Sequence, residues 1–157
     1  MGGMLYVTVF ITMLGCGLMA GLFFAFSISV MNGLARRPPA EGMAAMQAIN
    51  VAIVNPVFLV VFLGTPLACL LVAVLALLQW PDPGSLTLLA GSLTYIAGGF
   101  LVTMFINVPM NNRLMALSAS SPESADYWKD YLRRWTAWNH LRTIASLAAL
   151  GLLAAAI

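Results

Sequence analysis

The chain has 157 residues, of which 62% are hydrophobic and only 8% charged, with a formal net charge of +2. A soluble domain carries about 25% charged residues, and a fold of this length cannot hide so much apolar surface from water. The composition therefore excludes a water-soluble globular protein and makes lipid the main solvent. The small positive charge, spread beside apolar segments, also excludes a nucleic-acid-binding stripe.

The first apolar run, about residues 5–31, exceeds the length of a signal-peptide core. No Lys or Arg precedes Arg36, so the basic leader of such a peptide is lacking and a retained helix is expected. A polar loop with Pro38-Pro39 ends it. The second run starts near Met43, enters the bilayer at about 50 and reaches Gln79; its Pro56 and Pro66 predict kinks packed on neighbouring helices. A short turn around Trp80-Pro-Asp-Pro-Gly follows. The third run covers about 86–108 and ends at Asn107-Val-Pro109, where the chain is expected to unwind. Ser121-Pro122 then opens a last helix that continues to the C-terminus. Only its part from about 138 to 157 is apolar enough to span. The part before it is expected in water or on the membrane surface, with Tyr127, Trp128 and Tyr131 forming an apolar stripe at the interface.

Four spans make an all-α integral membrane four-helix bundle, read as a single transmembrane domain. All seven Lys and Arg flank the two loops after spans one and three. The positive-inside rule then places both termini on the outer side and the protein in the inner (plasma) membrane. Cys16 and Cys69 lie within apolar runs and are expected as buried free thiols. Gly17-Leu-Met-Ala-Gly21 is a small-xxx-small pattern that makes self-association into a homo-oligomer feasible.

The polar residues gather at one level. Asn50 and Asn55 begin span two, Asn107 and Asn111 end span three, and Asn139, His140, Arg142 and Thr143 begin span four. At about 100° per residue, Trp135, Asn139, Arg142 and Thr143 share one arc, with Trp138 and His140 on its flanks. Such a cluster at one membrane face is a natural mouth for a hydrophobic ligand. Each residue also has a plainer role. The asparagines can cap or bridge helices, Arg142 can snorkel to phosphates, and the tryptophans can belong to the interfacial belt. His140 is the only histidine. It can be a hydrogen-bonded structural residue, a general base, or a ligand to haem or copper. Alone it cannot build a zinc site.

Five strings carry a resemblance: Met46-Gln-Ala-Ile-Asn50, Asn55-Pro-Val-Phe58, Phe62-Leu-Gly64, Asn107-Val-Pro-Met-Asn111 and Trp135-Thr-Ala-Trp-Asn-His-Leu-Arg-Thr143. Together they resemble the anthrone oxygenase-like family of small membrane proteins. The resemblance implies a four-helix membrane fold and oxidation of an anthrone, or another flat phenolic or quinol, by O₂ without flavin or nicotinamide. On it, His140 is expected as the base. Asn107, Asn111, Asn139 and Arg142 are expected to stabilise the enolate. Trp135 and Trp138 are expected to line the aromatic slot, with Asn50, Asn55 and Thr143 as further substrate contacts. No cofactor is expected on this reading. Two others stay open: a haem- or copper-binding redox or carrier protein with His140 as ligand, and a structural subunit without chemistry.

Overall fold

The computed structural model describes residues 2–119 and 121–157. The described chain is helical throughout. We number five helices: α1 Gly3–Ala35, α2 Pro39–Ala52, α3 Pro56–Leu78, α4 Ser85–Met115 and α5 Pro122–Ala155. The long helices α1, α3, α4 and α5 close a ring in which α1 packs on α5 and α3, and α4 packs on the same two. The short α2 lies at one end, against α4 and the first half of α5.

Three helices (α1, α3 and α4) are long and apolar enough to cross a bilayer. Only 33%, 33% and 28% of their most apolar windows are buried within the chain. The remainder is an outward belt of Leu, Val, Ile and Phe, such as Leu18, Val60 and Leu67. That belt has no solvent but lipid, so this is a membrane protein. Helix α5 is not among the three: its second half holds Asn139, His140 and Arg142, and its first half carries Lys129, Asp130, Arg133 and Arg134. There Arg133 and Arg134 hold the Asp130 carboxyl below its usual range, by hydrogen bonds and by charge.

Two helix interruptions differ from the sequence expectation, both for local reasons. The second apolar run does not bend at Pro56 but breaks. Ile53–Asn55 leave the helix, and Asn55 Oδ1 accepts from the Phe58 N–H at 3.0 Å. An asparagine N-cap followed by proline at the first helical position is a complete start signal, and it wins over continuation. At Pro109 the reverse holds: the chain stays helical where unwinding was expected. Proline removes the donor for the Phe105 carbonyl. The chain widens to π turns over Tyr95–Leu101 and Thr103–Asn107 before Val108 resumes the α form. The Val108 N–H reaches back five residues to Thr103 O. A third widened turn, Phe26–Val30, lies in α1.

The aromatic stripe of α5 is also not at a free surface. Trp128 and Tyr131 are buried beneath α2, with Met43, Met46 and Leu114. Gly42 permits this seat: a Cβ there would stand 3.1 Å from the Trp128 ring and closer still to the Leu34 carbonyl oxygen. Cys16 and Cys69 are free and buried, as expected.

Candidate functional site

Between the α2–α3 corner and the facing sides of α1, α4 and α5 lies a cavity of about 230 Å³. That is near the lower end of small-molecule sites, ~300–1,000 Å³. Its walls are aromatic: Phe23 and Phe26 from α1, Phe58 and Phe62 from α3, and Trp135 from α5. Phe58 and Phe62 are one helical turn apart and stack at 5.3 Å with an interplanar angle of 8°. Val51 and Val54, 65% and 63% exposed, line it together with exposed Asn112 and Met115. These exposed lining residues mark the mouth, between the α2–α3 corner and the end of α4.

The polar floor is built on α5. Arg142 is 4% exposed, although it carries a permanent charge. Its Nη1 donates to Thr103 Oγ1 at 3.1 Å and its Nη2 to Asn139 Oδ1 at 2.6 Å. The guanidinium also lies over the rings of Phe23, 4.2 Å from the centroid, and Trp135, at 5.0 Å. Its Nε has no partner, and no carboxylate faces it among the described residues. Asn139 fixes this arrangement from beneath: its Nδ2 donates to Phe23 O and Ser27 Oγ at 2.6 and 2.7 Å, tying α5 to the widened turn of α1. Thr143 donates back to Asn139 O and completes the layer.

Asn111 forms the opposite edge. Its Oδ1 accepts from Trp135 Nε1 at 2.7 Å and from Tyr131 OH at 2.8 Å. An indole N–H only donates, so this contact assigns the amide orientation. The Asn111 Nδ2 is left without a protein partner among the described residues, on a side chain that lines the cavity. Asn50 lines it too, and its buried Nδ2 lies beside the Tyr131 hydroxyl without a well-formed hydrogen bond.

The structure thus brings together Asn50, Asn111, Trp135, Asn139 and Arg142, all expected from the sequence. It leaves five others out. Asn107 is fully buried behind the wall, donating to Trp135 O at 3.3 Å. Asn55 is the exposed cap of α3, and Thr143 supports Asn139. Trp138 is half-buried and off the cavity. His140 is exposed and does not line the cavity, because one residue past Asn139 turns the side chain about 100° to the outer face of α5. The structure thus places the imidazole outside the lining of this cavity. Among the described residues no three His, Cys, Asp or Glu gather as a metal-ligand group. The four phenylalanines and Tyr131 were missed as site residues. The Phe58/Phe62 spacing was the one signal that could have found two of them.

A family model described as anthrone oxygenase matches residues 57–152, more than half of the chain. The protein therefore belongs to the anthrone oxygenase-like family. No curated protein and no solved structure matches the chain.

Proposed function

We propose that the protein is a membrane-embedded oxygenase that acts with O₂ on a flat, hydrophobic phenolic substrate of the anthrone or quinol type. The observation that carries this is a lone buried guanidinium at the floor of an aromatic-walled cavity. A buried charge without a counter-ion is expensive, by several kcal/mol. It is retained where a ligand supplies the opposite charge during the reaction.

The fused rings stack between Phe58, Phe62 and Trp135, and the ring oxygen faces Arg142 and the amides of Asn111 and Asn50. In the reaction the ring methylene becomes a carbonyl. One oxygen atom of O₂ enters the ring, and the other leaves as water with the two methylene hydrogens. The positive floor stabilises the enolate from which electrons pass to O₂. Residues of this chain suffice for that role, and no cofactor is part of this reading. The C-terminal half of α5 serves as a fourth span beside α1, α3 and α4. Both termini lie outside the plasma membrane, and the basic loops lie inside.

Oxygen uptake by proteoliposomes given anthrone tests this. Wild type is expected to consume one O₂ per anthrone, well above a protein-free liposome blank. Loss of one oxyanion-stabilising group costs about 10²–10³ in rate, and Arg142→Gln is expected to fall in that range. Uptake no faster than the blank overturns the reading.

A further inference from the structure

The lining of the cavity holds no Asp, Glu, His, Cys or Lys. The titratable groups nearest Arg142 are the phenols of Tyr131 and Tyr95, on α5 and α4, both buried. The elements packed on Arg142 otherwise face it with neutral groups: Phe23 of α1, Thr103 of α4, and Asn139 and Trp135 of α5. The chain's five acids lie elsewhere. Glu41 pairs with Arg37, Asp130 pairs with Arg133 and Arg134, and Asp82, Glu123 and Asp126 are exposed. One positive charge and several neutral donors thus face a cavity that contains no proton acceptor of ordinary basicity.

We infer that the cavity is a selective site for a singly charged aromatic oxyanion, and that the ligand's proton is released to water at the mouth instead of to a side chain. This rests on the cavity being the substrate site. A single guanidinium matches one negative charge, so a doubly charged phosphate would remain under-neutralised. Asn111 Nδ2 is the free amide donor at the cavity wall, and it is held in that orientation by Trp135 and Tyr131. Arg142 Nε and Asn50 Nδ2 are occluded. They act through charge and dipole, or after a small side-chain shift. In this low-dielectric setting the cation favours the ionised ligand far more than it would in water.

The probe is 2-naphthol, whose ionised form absorbs at longer wavelength, with 2-methoxynaphthalene as its non-ionising twin. Full-length protein in detergent is titrated with each. For wild type, bound naphthol is expected to ionise at least one pH unit below naphthol in empty micelles, and its affinity is expected to rise tenfold as it ionises. The methyl ether is expected to show no pH-dependent affinity. Arg142→Lys should keep part of the shift and Arg142→Gln should lose it. Naphthol that binds wild type in its neutral form, or no more tightly than the ether at any pH, overturns the inference; this comparison needs no variant. The probe undergoes no oxygenation here, so anthrone-dependent oxygen uptake reports the oxygenase reading separately. Uptake without a naphthol shift sinks only the anion selectivity, and a shift without uptake sinks only the oxygenation.

Discussion

The same two helices, α4 and α5, meet in opposite ways at the two ends of the bundle. Near Gly98 they touch so closely that a methyl on that glycine would overlap the Cβ of Ala145. Gly91 makes a similar contact with Leu152 and Leu153. Val9, Val72, Ala149 and Leu153 fill the space around them with no accessible surface. Less than two turns further on, at Thr103 and Arg142, the helices carry polar side chains between them and a cavity opens. The close contact fixes how α5 is rotated. With Ala145 against Gly98, the residue one turn earlier must also face inward, and that residue is Arg142. The closed end thereby places the charge at the open end.

Breaking the closed contact should have the widest effect, because it reaches both ends of the bundle. Gly98→Val is expected to destabilise the bundle by about 1–3 kcal/mol through overpacking. It should also lower oxygen uptake, because Arg142 rotates with α5; thermal unfolding in detergent and the uptake assay check the two together. Asn111→Leu should act only at the open end. It strands the Tyr131 hydroxyl and the Trp135 indole N–H, each costing about 1–3 kcal/mol when buried and unpaired. Uptake should fall while Gly98 packing, read by cross-linking between α4 and α5, is unchanged. His140→Ala is the smallest expected change. An exposed side chain away from the cavity should shift stability by no more than about 0.5 kcal/mol, and uptake should match wild type. A large loss of uptake in this variant would show that the outer face of α5 belongs to the site.

The all-helical, membrane-spanning character was legible in hydropathy, because lipid demands long apolar helices and leaves few alternatives. The arc of Trp135, Asn139 and Arg142 was legible for the same reason: helical periodicity alone fixes which residues share a face. That His140 lies off the cavity lining was not legible, because a motif string conveys proximity along the chain and not direction around the helix. The capping role of Asn55 was not legible because a capping asparagine and a ligand-binding asparagine have the same composition signal, and only the broken helix reveals the cap. Pro109 misled for a different reason. A proline states that a hydrogen bond is lost but not that the helix ends, and here it sits in the first turn of a resumed α segment just after a wider turn. The phenylalanine walls were invisible because Phe is unremarkable in a membrane helix. Only the gap they surround distinguishes them from residues that face lipid.

On the oxygenase reading, a mouth at Val51 and Val54 that opens to lipid sets the terms on which substrate is measured. A molecule that reaches the cavity from among acyl chains arrives from a reservoir already enriched by partitioning. The rate then follows molecules of substrate per molecule of lipid, and diluting the aqueous phase at constant membrane composition leaves it unaltered. Adding empty vesicles slows turnover without touching the protein, and half-saturation is a mole fraction and not a molarity.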